Sequence, residues 1–328
     1  MRVLVTGGAG YVGSVSVEAL IAAGHDVVVL DDCSTGHAAA VPAGTVHLDQ
    51  DYTDEAATAA ALRDHRIDAI LHCAARSLVG ESVRDPSRYY RQNVAGGIAL
   101  LEAARSAGVR RFVFSSTAAV YGVPDTIPIP EDAPLRPINP YGETKRTFEN
   151  ALDWYGRAYG LRGVGLRYFN VAGATEANGE DHRPETHLIP GVLRAAEGRA
   201  VFTTFGNDYP TPDGTPIRDY IDVRDLADAH LRALEATAAA DAPALLVCNL
   251  GSGSGFSVRQ VIEAAEAVVG HPIPTVAGPR REGDPPFLVA LAERARTALG
   301  WVPAHSTLEE MIGSAWAWRR RHPHGYSD

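Results

Sequence analysis

Tyr141 and Lys145 stand four residues apart in YGETK, and Ser115, Ser116 and Thr117 form a run of hydroxyls upstream in RFVFSSTAAVYG. On a helix, residues i and i+4 share one face, with Cβ atoms about 5–6 Å apart. A phenol is a poor base at its ordinary pKa of about 10. A neighbouring ammonium favours phenolate and would lower that value, making the tyrosine a candidate for proton transfer. A strand-end hydroxyl could orient the group that gives up the proton, or simply satisfy nearby backbone. Taken alone, the pair is also compatible with a surface contact worth a few tenths of a kcal/mol.

A second group of residues suits phosphate. VTGGAGYVGS places Gly7, Gly8, Gly10 and Gly13 between a strand-like and a helix-like segment, satisfying both G-x-G-x-x-G and G-x-x-G-x-x-G. Such glycines permit a tight turn and let backbone N–H groups approach a pyrophosphate at a helix N-terminus. DVVVLDD follows at the right distance and brings Asp31. A carboxylate there accepts hydrogen bonds from the adenosine ribose and repels a 2′-phosphate, which favours NAD over NADP.

The elements that must position these groups alternate. Strands are expected at 2–6, 27–30, 68–73, 110–115 and 163–168, separated by longer helical segments including SRYYRQNVAGGIALLEAARSAG and the Tyr141 helix. Valine-rich strands alternating with helices predict a Rossmann-type doubly wound parallel sheet covered on both faces, with ligands at the carboxyl ends of its strands. After about residue 170 the pattern loosens, and Gly, Pro, Asn and Asp crowd 171–186 and 206–218. These mark functional loops or a smaller second domain. The expected division is residues 1–170 as an NAD-binding domain, with a returning segment near 218–250. Residues 171–328 would form mainly a mixed α/β substrate domain.

At 328 residues and 45% hydrophobic, the chain can bury a large core. A net charge of −10 argues against a general nucleic-acid or anionic-membrane surface, so an anionic ligand would need locally concentrated arginines or helix N-termini. Three dispersed cysteines and twelve histidines show no metal-ligand spacing, and His182 and His187 read as loop histidines, so no metal is expected. The opening MRVLVTGG carries no signal-peptide pattern and no 18-residue apolar run occurs, so the expected compartment is the cytoplasm.

Residues 1–170 resemble the short-chain dehydrogenase/reductase superfamily, whose Ser/Thr–Tyr–Lys set Thr117, Tyr141 and Lys145 match. Four further segments, LRYFNVAGA, THLIP, FGNDYPTPDGTPIRDYIDVRDLADAH and PRREGD, resemble the UDP-glucose 4-epimerases of its extended branch, from residue 1 to the C-terminus. That resemblance implies reversible C4 epimerisation of a UDP-hexose through transient hydride transfer to tightly held NAD. Tyr141 would act as base and then acid, Lys145 would hydrogen-bond the nicotinamide ribose, and Thr117 would orient the sugar hydroxyl. The cofactor site it implies comprises Gly7, Gly10, Tyr11, Val12, Gly13, Asp31, Asp32, Asp51, Tyr52, Cys73, Ala74, Ala75, Asn93, Ser115, Tyr168 and Phe169 beside the catalytic pair. The UDP-sugar would meet Thr117, Tyr141, Asn170, His187, Leu188, Phe205, Arg218, Arg281, Asp284 and Leu288. The arginines answer the electrostatic expectation, because a guanidinium contacts a pyrophosphate bidentately.

Some positions depart from that family's pattern. Ser77 replaces a lysine that often contacts cofactor, with Arg76 adjacent; His187 replaces an asparagine, and Leu291 an aspartate. Leu288 stands where a bulky tyrosine tends to exclude N-acetylated sugars, and leaves open UDP-GlcNAc, UDP-glucuronate or a UDP-pentose as the substrate. A nucleotide-sugar 4,6-dehydratase needs an Asp-Glu pair after the threonine, where this chain has Ala118 and Ala119. Retention of Tyr141 and Lys145 disfavours a non-enzymatic NAD-sensing module. Relatives pair through two long helices, so a homodimer is expected, with Tyr89, Tyr90, Trp154 and Tyr155 on the helices concerned.

Overall fold

A computed structural model describes residues 1–239, 241–280 and 284–327. Seven parallel strands form the central sheet. In chain order the first six are β1 (Arg2–Thr6), β2 (Asp26–Leu30), β3 (Val46–Leu48), β4 (Ala69–His72), β5 (Arg111–Thr117) and β6 (Arg162–Tyr168). The strand Leu245–Leu250 joins at one edge, giving the spatial order Leu245–Leu250, β6, β5, β4, β1, β2, β3. The five expected strands are present, shifted by at most two residues at an end. The three-residue β3 gave no signal in the sequence, because at that length side-chain alternation carries no information.

Alternation along β1 explains why both faces are covered. Val3 and Val5 join one buried cluster with Val27, Val29, Leu71 and Leu166, while Leu4 joins the other with Val28, Leu30, Ile70 and Phe112. Helix α1 (Tyr11–Ala22) and the helix Val223–Ala236 cover the first face, and Gly97–Ala107 and Pro140–Tyr159 the second. The returning segment expected near 218–250 therefore supplies both a covering helix and an edge strand.

Smaller sheets lie in the C-terminal region. Asn170–Ala172 pairs with Tyr220–Asp222, Phe202–Phe205 with Thr275–Gly278, and Ile217–Arg218 with both Phe256–Ser257 and Phe287–Leu288. A separate buried cluster, including Ile189, Leu193, Tyr220, Val261, Met311 and Ile312, holds this part together.

The segment read as one helix from Ser87 onward is continuous but uneven. An α-turn at Pro86–Tyr89, N-capped by Asp85, leads into a π-helical stretch at Tyr90–Gly96 and then the α-helix Gly97–Ala107. Of the aromatics on these helices, Tyr89 is buried and donates its hydroxyl to Leu78 O at 2.7 Å, whereas Trp154 is 66% exposed. Among the described residues, no helix is long and apolar enough to cross a membrane.

Candidate active site

The carboxyl ends of β1, β2, β4, β5 and β6 open into one cleft of about 1110 Å³. Its first wall is the glycine turn. Gly7 has φ of +73°, and a Cβ there would meet Ala74 N at 2.5 Å; a Cβ on Gly13 would lie 2.0 Å from Gly7 O. Only glycine lets α1 approach the turn this closely. No side chain caps α1 and no acidic residue occupies its first turn, which leaves its N–H groups and positive dipole end for an anion.

Asp31 organises the next wall. Its two oxygens accept from Ala9 N–H and Cys33 N–H, both at 2.9 Å, joining the glycine turn to the loop after β2. Burial raises this carboxyl while those backbone donors oppose the rise. Asp32, Asp51 and Tyr52 line the same end, as do Ser34, Gly36 and His37, which sequence reasoning missed. A signal existed at Gly36, where a Cβ would lie 2.7 Å from Ala9 C, although the glycine alone does not reveal its neighbour. Arg76 NH2 comes within 3.5 Å of Ser34 Oγ, so its guanidinium turns toward this loop.

Asn93 and Ser115 act from behind the lining. Asn93 exchanges hydrogen bonds with Arg76, accepting its N–H and donating to its carbonyl, both at 2.9 Å, and so fixes the Cys73–Ser77 loop. It projects from the π-helical stretch, a feature frequent at functional sites. Ser115 Oγ donates to Cys73 Sγ at 3.3 Å and lies 3.1 Å from buried His230 Nε2.

Tyr141 and Lys145 enter from the helix Pro140–Tyr159. Asn139 caps it by accepting from Gly142 N–H at 2.9 Å, and Pro140 occupies its first turn. A Cβ on Gly142 would meet Ala119 O at 2.5 Å, so the glycine inside YGETK lets the helix start seat against the loop that follows Thr117. The Tyr141 phenol thereby comes to stand beside the Thr117 hydroxyl. Lys145 Nζ donates to Ser115 O at 2.8 Å and lies 6.0 Å from the Tyr141 ring centroid.

The electrostatics of the protein alone are set by burial. Burial raises the Tyr141 phenol, and the neighbouring Thr117 hydroxyl opposes the rise. Burial also pulls the Lys145 ammonium down to about 8, against the influence of Cys73 and Glu149.

At the far end, Arg218 pairs with Asp284, and Asn170 donates to Asp219 O at 3.0 Å. Tyr168, Phe169, Asn170, His187, Arg218, Asp284 and Leu288 all line the cleft. Leu188 opens the helix Leu188–Ala196 and packs on its core, and Phe205 stands 37% exposed on the strand Phe202–Phe205; neither lines the cleft. Arg281 lies outside the described residues. Sequence reasoning took His182 and His187 as separate loop histidines, whereas the fold brings both to Glu180 and Glu185. Burial opposes protonation of His187, but the two carboxylates raise it to about 10.

A glycine turn, a carboxylate at the end of β2 and a Thr–Tyr–Lys set share one cleft, and residues 3–251 match the model of the NAD-dependent epimerase/dehydratase family. The chain belongs to this family. Within the family it is 50% identical over 334 aligned positions to the UDP-glucose 4-epimerase of Lactobacillus helveticus, covering 100% of both chains. It superimposes on a UDP-glucose 4-epimerase from Brucella ovis in complex with NAD with a TM-score of 0.93, at 44% identity and covering 96% of this chain and 97% of that one. Another member, from Bifidobacterium longum in complex with NAD+ and UDP, matches with a TM-score of 0.93 and 36% identity over 99% and 100% of the two chains. The family's cofactor fits this cleft, since the uncapped α1 terminus and the Gly7–Gly13 approach leave room for a pyrophosphate.

Proposed function

We propose that the protein reversibly epimerises UDP-glucose and UDP-galactose at C4, using tightly bound NAD. The observation that carries this reading is one cleft with a dinucleotide cradle at one end and Arg218, Asp284 and Leu288 at the other, with Tyr141 and Thr117 between them. Bound NAD would accept hydride from C4 of the sugar and return it to the opposite face of the 4-keto sugar. Tyr141 takes the proton from the C4 hydroxyl and later restores it, while Thr117 orients that oxygen. The glycine turn and α1 hold the cofactor pyrophosphate, Asp31 the adenosine ribose, and Lys145 the nicotinamide ribose. Arg218 holds the UDP pyrophosphate, for which it must exchange its Asp284 partner. Arg281 is proposed to share that role on the strength of its motif, and Leu188 and Phe205 to close around the uridine. The sugar needs a looser hold, so that both faces of C4 reach the same cofactor position.

Residues 1–170 with the returning 218–250 segment serve as the NAD-binding domain in this reading, and most of 171–328 as the UDP-sugar domain. We place the enzyme in the cytoplasm, where UDP-sugars are made, as a homodimer. The helix Pro140–Tyr159 exposes Trp154 and Tyr159 at 66% and 51%, aromatic surface available to a second copy. The deciding experiment incubates the protein with UDP-galactose and resolves the C4 epimers. UDP-glucose should accumulate to equilibrium without added NAD; if every UDP-hexose is recovered unchanged, this reading fails.

A further inference from the structure

The loop preceding the helix Leu188–Ala196 gathers a cluster of which the resemblance assigns only His187 to the UDP-sugar. Glu180 Oε1 lies 3.0 Å from His182 Nδ1 and 2.7 Å from His187 Nδ1. Glu185 Oε1 lies 2.9 Å from the same His187 nitrogen and accepts His187 N–H at 2.7 Å. An imidazole nitrogen carries at most one hydrogen, so His187 Nδ1 cannot serve both carboxylates well. The Glu180 and Glu185 side chains are 8% and 4% exposed, and among the described residues neither meets a lysine or arginine. The two carboxylates converge on one His187 ring nitrogen with His182 alongside, so all four donor atoms already face a common point where a cation could sit.

We propose that Glu180, His182, Glu185 and His187 bind one divalent first-row transition-metal ion, with zinc the best match. Two imidazole nitrogens and two carboxylate oxygens are ligands zinc takes tetrahedrally, whereas magnesium and calcium prefer all-oxygen sets. The four ligand atoms lie within 4.8 Å of one another. A tetrahedral site with bonds of about 2.0–2.2 Å places its ligand atoms about 3.4 Å apart, so small side-chain adjustments complete it. The E-x-H-x-x-E-x-H spacing matches no common zinc pattern, so the site is not legible along the chain. The half-exposed His187 edge admits the ion from the cleft side. Once bound, it pins the 180–187 loop to the start of the next helix and stiffens that wall of the cleft. The inference stands on this cluster and is independent of which sugar is turned over.

The test uses tag-free full-length protein, stripped with chelator and titrated with ZnCl2 and separately with CoCl2. One ion per chain should bind, and bound cobalt should show the intense visible absorption of a tetrahedral site. His182→Ala and Glu185→Gln should each lose at least tenfold in affinity with an unchanged circular dichroism spectrum. Absence of stoichiometric binding, or a weak octahedral cobalt spectrum, would overturn the proposal. Equal binding by wild type and variants would do so too, because the ion would then sit on other histidines. Should a variant fail to fold, the wild-type stoichiometry and cobalt spectrum still decide.

Discussion

Leu288 and Arg218 are register partners on adjacent parallel strands, Phe287–Leu288 and Ile217–Arg218. The residue proposed to hold the pyrophosphate is thereby tied by backbone hydrogen bonding to the one proposed to border the sugar. A change at 288 acts on the hexose end without moving the phosphate anchor. Leu288→Gly should raise the kcat/KM ratio of UDP-N-acetylglucosamine to UDP-glucose by about tenfold or more, since space in a pocket is worth about 1–3 kcal/mol per methylene. Leu288→Tyr should lower it. Competition assays with both sugars check this; an unchanged ratio in both variants would remove Leu288 from the sugar wall.

Removal of the phenol should separate chemistry from binding. Tyr141→Phe should lower kcat by about 10²–10⁴-fold, the range for loss of a positioned acid/base group. Calorimetric affinity for UDP and retention of NAD should stay near wild type, because the ring and the glycine turn persist. Full turnover by this variant would sink the assignment of Tyr141.

The buried ammonium predicts a pH signature. Burial lowers Lys145 from its ordinary 10.5 to about 8 in the folded protein. Between those values the unfolded chain binds the extra proton, so unfolding free energy should rise with pH through that window. The gain in the cofactor-free protein is on the order of 3 kcal/mol relative to Lys145→Met, in which this contribution is absent. Urea unfolding of both proteins from pH 7 to 10.5 measures it. Parallel curves for the two would show that Lys145 titrates normally.

Gly142 carries a steric prediction. Gly142→Ala forces the helix start away from Ala119 O and with it Tyr141 from Thr117. A loss of about 1–3 kcal/mol in stability is expected, as for other overpacked sites. The kcat should fall more than tenfold while UDP affinity changes little. A fully active variant would mean that the loop after Thr117 yields without cost.

The elements that came through clearly in the sequence are those whose signal is local. Valine-rich strands, the glycine turn before α1 and the i,i+4 spacing of Tyr141 and Lys145 each depend on residues close along the chain, and the matching elements are present. Resemblance extended this to Arg218, Asp284 and Leu288, which do line the cleft, and to Leu188 and Phe205, which do not. Other features depend on long-range placement. The short β3 strand exists only because β2 offers it an edge. Gly142 and Gly36 need their glycines because of Ala119 and Ala9, partners distant in sequence.

Spacing placed the phenol and ammonium on one helix, and the chemistry of their side chains suggested a lowered tyrosine. Tertiary packing adds burial to that balance. Burial raises Tyr141 and depresses Lys145, because desolvation acts on each group through everything packed around it. The same logic separates His182 and His187 as read along the chain from the four-residue cluster they form with Glu180 and Glu185. Residue types and local periodicity determined which chemistry was available to this protein. The folded neighbourhood, which no local spacing encodes, decided the burial and the partners of the groups that carry that chemistry.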